Sequence, residues 1–552
     1  MFYTIVTGAL ACLVLLLVIL ALTKHPVRGC NGITEKIFAI LDKYHLVFFF
    51  LLLLLFAFTR LYYLGIIPAG IHVDEIGMAY DADCLAKYGM DRHLTRYPVY
   101  LQNYGSGQSA LYAYLTMLLL KVFPYSVRLI RIPAVVCGFF CFLSSFFLID
   151  DITEHKSMAL LGPLFVTVTP YFMTSERWAL DCNLFLSLAT VSLCLTVRAC
   201  RKAKSWIYVL AGLGWGITLY TYAISYLVIP LFLVLLILYL LRVKKEWKCL
   251  YMLIPVVLLG IPLLIFQMVN MRLIGSFSLG FTDFVPIDNF RGGEIRPGNV
   301  LRNLPNIITN LYGGDGLTYN AFPEFGPVYL CMIPLILYGA VMAVKDTVRS
   351  VKNKELQAIS VVVLFFASSW LVMLLVSANN FNKANHFYIS YIVFAVYGLI
   401  CLEKTSRQTV ILQVLCVALS FLLFANFYFR EQNEKYGFHY LFMNTKPGDV
   451  IAYAEQHYDP ADEKKLYVCL NYDDLAGYIP MFVCLYGNVH PKYGTQKQTD
   501  FGKIYLNLPE EFDEREDAVY IIGNDWGGVI SYMISVGFST DSYFDGTTIL
   551  YR

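Results

Sequence analysis

The sequence predicts an all-α polytopic membrane protein of about twelve transmembrane helices, with a small α/β domain at its C-terminal end. Three observations lead there. Hydrophobic types make up 58% of the 552 residues and charged types 15%, against about 45–50% and about 25% in an ordinary soluble domain. Twelve separate stretches are apolar enough to cross a bilayer, which takes about 20 residues of helix. The charge is also divided unevenly. Residues 429–552 hold ten Lys and Arg against nineteen Asp and Glu, a net −9, while the rest of the chain carries +11. This composition excludes a soluble enzyme with one or two cores, a disordered chain, collagen and a disulfide scaffold. The fourteen cysteines lie mostly inside apolar runs, Cys12, Cys137, Cys141, Cys194, Cys331 and Cys416 among them. A thiol there acts as a small hydrophobe. None forms a CxxC pair or a zinc spacing.

The spans expected are 3–22, 46–64, 126–149, 158–174, 183–197, 206–221, 227–241, 249–269, 327–344, 357–376, 386–402 and 408–428. The first is longer than a secretory signal and lacks its small-residue cleavage pattern, so it reads as a helix. Residues 109–123 are short, rich in Tyr and contain Lys121. They read as an interfacial helix rather than a span. Basic residues orient the map, because they collect in cytoplasmic loops. Beyond residue 150, one set of alternate loops holds fifteen Lys and Arg, from Lys156 to Arg407; the other set holds six. The first set is therefore assigned to the cytoplasm. Loops 65–125 and 270–326 and the tail then lie outside. Three regions result: 1–44, an extra N-terminal helix with a cytoplasmic linker; 45–428, the transmembrane core; and 429–552, an extracytoplasmic tail. In the tail, Lys446-Pro447-Gly448-Asp449 reads as a turn and Val450–His457 as a helix. Leu466–Leu470 and Val519–Ile522 read as strands.

Candidate chemistry sits in the outside loops. Directly after the second span comes His72-Val73-Asp74-Glu75. Adjacent carboxylates at a membrane face are costly, and helical neighbours do not share a face. One of the two is free to face a cavity while the other pairs with a cation or caps a helix; a plain solvated acidic loop is the alternative. Asp81, Asp83, Asp91, Arg92, His93 and Arg96 follow. The polar, Gly-containing stretch Tyr100–Ser109, with Asn103 and Gln108, is suited to lining a cleft. Arg128 and Arg131 open the next span at i, i+3, one helix face. They fit bidentate phosphate binding or snorkelling into headgroups. The next outside turn carries Glu176, Arg177 and Asp181. A helical i, i+4 pair of Arg177 with Asp181 is one reading; Asp181 in a cavity opposite Asp74 is the other. His72 and Asp74 are weak candidates for a divalent metal site, completed by Asp181 or His93. No P-loop, GxGxxG or HExxH is present, and nothing points to nucleic acid.

Two further segments are ambiguous. Loop 270–326 has Asp283, Asp288, Arg291, Glu294, Arg296, Arg302, Asp315 and Glu324, with turns at Arg291-Gly-Gly and Gly313-Gly-Asp-Gly316. It is either an acceptor-binding flap or a connecting loop. Asn379, Asn380, Asn382, Lys383, Asn385 and His386 either bind a sugar or a phosphate, or form a polar turn between spans.

Taken together, these segments resemble the GT-C superfamily of membrane glycosyltransferases, in its protein O-mannosyltransferase and aminoarabinose transferase branch. The resemblance covers roughly residues 45–400. It rests on Asp74-Glu75, on Gly107-Gln108-Ser109-Ala110-Leu111-Tyr112, on Arg131-Ile132-Pro133, and on Arg177 with Asp181. It implies a shared frame of spans with a large first outside loop containing two helices along the membrane. It also implies transfer of one sugar, with inversion, from a polyprenyl phosphate to an extracytoplasmic glycan, lipid or protein. Asp74 then looks like the carboxylate at the reaction centre, with Glu75 structural or acceptor-positioning and Asp181 a second carboxylate. Arg131 resembles the arginine that contacts donor phosphate, alongside Arg128 and Arg177. Gln108, Asn103 and His386 are candidates for the acceptor cavity. No cofactor is certain from these residues; a divalent metal is an open possibility. Where the aminoarabinose branch often has Lys-Pro-Pro-Leu, this chain has Gln108-Ser109-Ala110-Leu111, and the large luminal insert of eukaryotic protein mannosyltransferases is missing. The competing classes are a transporter and a non-catalytic envelope sensor. A transporter places ionisable groups at mid-membrane, whereas the charges here sit at the outside ends of the runs.

Overall fold

Each of the twelve apolar runs folds as helix, as it must where no water is available to satisfy backbone groups. The chain is described by a computed structural model that covers every residue except 1, 24–30, 104–105, 154, 289, 291–294, 314–316, 318, 378–379, 437–441, 444–445, 462, 471–478, 494–499, 510–514 and 543–546. Helix α1 spans Phe2–Leu22, α2 Asn31–Lys43 and α3 His45–Leu61. A bend of 80° separates the last two. The segment between α3 and α6 forms β1 (Ile71–His72), α4 (Val73–Tyr88), the hairpin β2 (Tyr100–Asn103) and β3 (Ser106–Ser109), and α5 (Leu111–Leu120). At ten residues α5 is about 15 Å long, half the hydrocarbon thickness. It lies against α4 and α6, in agreement with its reading as a non-spanning helix.

The long helix α6 covers Val127–Thr153. The fourth run is broken into α7 (Lys156–Ala159), α8 (Leu161–Val168) and α9 (Pro170–Ser175). Pro170 disfavours helical geometry at the residue before it, and Thr169 is extended. Then come α10 (Asp181–Lys202), α11 (Ser205–Thr218), α12 (Ser225–Lys244) and α13 (Leu253–Asn270). Loop 270–326 contributes β4 (Phe277–Leu279), β5 (Thr282–Phe284) and α14 (Val300–Thr309). The remaining membrane helices are α15 (Ile333–Asn353), α16 (Ile359–Leu375) and α18 (Phe387–Glu403), with the short α17 (Phe381–Ala384) before α18, and then α19 (Arg407–Asn426). Among the described residues seven helices are long and apolar enough to cross a membrane, or eight with the bent pair counted as one span. Four of the expected runs form shorter apolar helices: 156–168, 205–218, 359–375 and 387–403.

The last membrane helix continues beyond residue 428, through a π turn at Phe427–Glu431 into α20 (Gln432–Tyr436). The tail adds β6 (Phe442–Met443), α21 (Lys446–Tyr458), β7 (Lys465–Cys469), α22 (Ile479–Tyr486), β8 (Ile504–Tyr505), β9 (Ala518–Gly523), α23 (Gly527–Ser535), β10 (Ser539–Ser542) and β11 (Thr547–Tyr551). Lys446–Asp449 is the first turn of α21 rather than a separate turn; a proline is well tolerated there because its missing N–H has no helical partner to lose. Five strands form one sheet in the order β10-β11-β9-β7-β8. Strand β7 is parallel to both neighbours and β11 is antiparallel to β9. The central β9 is buried along its whole length, which explains its unbroken apolar run.

The tail is packed onto the segment between α3 and α6. Strand β6 pairs antiparallel with β1, Ile71 opposite Met443 and His72 opposite Phe442. Helix α22 lies on α4. Ile76, Leu85, Tyr112, Val450, Leu466, Met481 and Val483 share one apolar core.

Candidate active site

Strand β1 ends one residue before helix α4, and that junction sorts the two carboxylates. The Nδ1 atom of His72 accepts from the Asp74 amide (3.1 Å). In return the Glu75 carboxylate accepts from the His72 amide (2.9 Å). This reciprocal capping box satisfies two donors of the first turn. It turns Glu75 inward, fully buried. Asp74 points the other way, with 42% of its side chain exposed. Its Oδ1 accepts from the Asn103 side-chain amide (2.9 Å), and its Oδ2 stands 3.6 Å from His72 Nδ1. Glu75 thus caps α4 and pairs, while Asp74 stays partly exposed.

Glu75 meets Arg131. The guanidinium donates to Glu75 through Nε (2.9 Å) and Nη2 (3.0 Å), and to the carbonyls of Leu64, Pro68 and Gly70 (2.8–3.2 Å). It stacks 4.4 Å from the Trp178 ring. Its position between α4, α6 and the turn after α3 thus engages all three nitrogens with protein atoms. Arg177 is just as occupied, donating to the carbonyls of Thr59, Arg60, Tyr62 and Ile67 (2.6–2.8 Å). These are carbonyls at the C-terminal end of α3 and just beyond it, where a cation is favoured. The i, i+4 pair of Arg177 with Asp181 does not form, because residues 177–180 lie between α9 and α10 and are not helical. Glu176 instead pairs with Arg60 (2.7 Å), both buried. Gly138 of α6 makes room for that carboxylate: a Cβ there would lie 2.5 Å from Glu176 Cδ. Of the three arginines singled out in the sequence, only Arg128 is exposed.

Asp181 is the first residue of α10 and accepts from the amides of Cys182 and of Ser109 on β3 (both 2.8 Å). Gln108, one residue earlier, is buried, opposite Leu101 in the hairpin. Asn103, at the end of β2, links Asp74 to Arg92, whose guanidinium donates to the Asn103 side-chain oxygen. His386 lies deeper, stacked on Phe185 and Phe387; the preceding Asn385 donates to the Cys182 carbonyl. The structure therefore joins Asp74 to Asn103 and Asp181 to the hairpin that carries Gln108, with Glu75, Arg131 and His386 buried. Tyr319 packs on His72, its ring 4.7 Å away and its hydroxyl accepting from Asn382 (3.1 Å). Arg60 was passed over in the sequence, although a cation in the last turn of an apolar run is a signal in itself.

Loop 270–326 is tied to the segment between α4 and β3. Arg96 pairs with Asp283 (2.9 Å), and Gln102 exchanges bonds with Asp288 (2.6 and 3.3 Å). The Arg96 guanidinium pulls the Asp283 carboxyl down to about 2. Arg302 reaches the Ser377 carbonyl and Glu324 pairs with Lys435; the Arg296 amide donates to the Leu375 carbonyl (2.9 Å). Arg291 to Glu294, Gly314 to Gly316, and Asn379 lie outside the described residues. On the far side of Asn103, burial pushes the Asp91 carboxyl up to about 7 and Asp81 up to about 6. It pushes His93 down to about 4. Among the described residues no three His, Cys, Asp or Glu side chains come together as a metal site, so His72 and Asp74 gain no further ligand there.

Residues 108–266 match the family model described as dolichyl-phosphate-mannose-protein mannosyltransferase. A search of curated proteins gives no match. Among solved structures, the chain is similar to ArnT from Cupriavidus metallidurans bound to undecaprenyl phosphate, with a TM-score of 0.56 at 11% identity, covering 92% of this chain and 98% of that one. It is also similar to the same protein in its apo state, with a TM-score of 0.51 at 10% identity, covering 92% and 97%. The chain thus has an ArnT-like GT-C fold, and its resemblance to the GT-C glycosyltransferases extends from its motifs to its architecture.

Proposed function

We propose that the protein is a membrane glycosyltransferase that moves one sugar from a polyprenyl phosphate to a hydroxyl-bearing acceptor on the extracytoplasmic side. The family model and the fold support glycosyl transfer in a multi-pass membrane protein. The solved ArnT is described as bound to undecaprenyl phosphate, which supports a lipid-phosphate donor. The observation that carries the assignment of the base is the contrast between two adjacent carboxylates. Glu75 is fully buried and bonded, while Asp74 opens to the mouth with one oxygen steadied by Asn103.

In this reading Asp74 takes the acceptor hydroxyl proton as its oxygen attacks the anomeric carbon. The bond from that carbon to the phosphate oxygen breaks with inversion through an oxocarbenium-like transition state. Its electrons stay on the phosphate, which leaves as polyprenyl phosphate. The leaving group is already anionic and needs no strong acid; a cation near it suffices. Arg128 has the exposed side chain for that contact, while Arg131 holds Glu75 and the turn after α3. Asp181, bonded to the β3 backbone, shapes the acceptor side with Gln108. The basic cytoplasmic loops support an outside position for the mouth and tail.

The test is release of polyprenyl phosphate. Purified protein in nanodiscs is given polyprenyl phosphates carrying mannose, glucose, arabinose or aminoarabinose, with crude envelope as acceptor. Wild type should release the lipid phosphate from one of them. Asp74→Asn should release about 10²- to 10⁴-fold less, the range for loss of a positioned base. Near-normal release by that variant would sink the base assignment. No release from any donor by wild type would overturn the glycosyltransferase reading.

A further inference from the structure

Arg92 lies in the first outside loop, yet only 1% of it is exposed. Residues of three elements, α4, β2 and α22, surround it. Asp81 of α4 accepts from its backbone amide (3.1 Å) and places a carboxylate 3.6 Å from Nε. The Gln102 carbonyl accepts from Nη2 (3.1 Å). The Asn103 side-chain oxygen accepts from the same nitrogen. The sulfur of Met481, on α22 of the tail, accepts from Nη1 (3.1 Å).

The Asn103 contact fixes an orientation. A side-chain amide has a donor end and an acceptor end, and a guanidinium has donors only. With Arg92 against one end, the carbonyl must face Arg92 and the NH₂ must face Asp74. Without Arg92 the amide is able to turn over, putting a carbonyl oxygen against a carboxylate. We infer that Arg92 is a positioning residue: it locks the Asn103 amide that steadies Asp74, and it is itself held from behind by Met481 of the tail. The tail is then part of the frame of the active site. Other contacts agree. Tyr80 of α4 donates to the Val489 carbonyl (2.9 Å) and Lys87 to Asn488 (2.6 Å). The rings of Tyr125 and Tyr486 stand 5.2 Å apart.

The inference rests on the reading of Asp74 as the base, and the test separates the two. Full-length Arg92→Met, Arg92→Lys, Asn103→Ala, the double variant Arg92→Met/Asn103→Ala and Met481→Leu are assayed for release of polyprenyl phosphate from the same four donors, with Asp74→Asn alongside. Arg92→Met and Asn103→Ala should each lower kcat by about tenfold, the worth of one charge-assisted hydrogen bond, with the donor KM unchanged. The double variant should fall no further than the worse single one, because both act through one amide. Arg92→Lys should recover part of the rate, and Met481→Leu should lose about two- to threefold. Additive losses in the double variant, or an unchanged kcat in Arg92→Met, overturn the inference while an inactive Asp74→Asn leaves the base reading standing. An active Asp74→Asn removes the base reading itself. If Arg92→Met does not fold, additivity of Arg92→Lys with Asn103→Ala decides in its place.

Discussion

Two layers of charge lie at the α3 end of the transmembrane core, and they are built oppositely. The upper layer, Asp74, Asn103 and Asp181, carries partly exposed carboxylates, each oriented by one or two hydrogen bonds. The lower layer, Glu75–Arg131, Glu176–Arg60 and Arg177, is buried and densely bonded, Arg131 and Arg177 to carbonyls of the α3 end and its turn and Arg60 to the Val166 and Thr167 carbonyls of α8. The contrast teaches that charge at a membrane end divides into two kinds. A bonded and buried cation closes helix ends and holds the turn. A carboxylate with a lone pair turned to the opening is available for chemistry.

The sharpest way to break this division is to cut the lower layer. Arg131→Met leaves the Glu75 carboxylate buried without its cation, a change that costs about 3–5 kcal/mol. Thermal unfolding of the purified variant should show a large loss. Asp74→Asn should melt within about 0.5 kcal/mol of wild type, as a partly exposed substitution does. Equal melting of Arg131→Met and wild type would dissolve the distinction. A smaller effect is expected from Gly138→Ala, whose new methyl group overlaps Glu176 and forces it from Arg60. Overpacking of this kind costs about 1–3 kcal/mol, read in the same melt.

The smallest effect is a pH slope. The folded Asp91 carboxyl titrates above its unfolded value, at about 7, so the folded chain holds more protons between the two values. Its contribution to stability is present below about pH 4 and is lost as pH rises through 7. Asp91→Asn keeps an acceptor for the His93 and Thr95 amides (2.9 Å each in wild type) and removes the titration. The variant should therefore gain in melting temperature relative to wild type between pH 4.5 and pH 7.5. A constant difference between the two would contradict the buried-acid assignment. His93, pushed down to about 4, slopes the other way in both proteins and cancels in the comparison.

How much was legible in the sequence follows from the range of the interactions. The twelve runs were legible because apolar length is a local property, and the short α5 was legible from Lys121 and its tyrosines. The split of Asp74 from Glu75 was legible in principle from helical geometry alone. The role of Arg131 was not. A guanidinium at the start of a span looks the same in sequence whether it will meet a phosphate or the carbonyls of Leu64, Pro68 and Gly70. Arg60 with Glu176, and Arg92 with Met481, are separated by 116 and 389 residues. No spacing rule reaches that far. The tail was readable as α/β from Leu466–Leu470 and Val519–Ile522, but its docking on α4 depends on a surface that exists only after both parts fold.

The pairing of β1 with β6 sets an order of events during synthesis. The strand that precedes Asp74 finds its partner only about 370 residues later in the chain. At roughly 5–20 residues per second, the front of the mouth waits about 20–70 seconds for its other edge. Ile71 and His72 present an unpaired edge during that interval, a template for any extended segment nearby. A protein cut short before Phe442 lacks the partner of that edge.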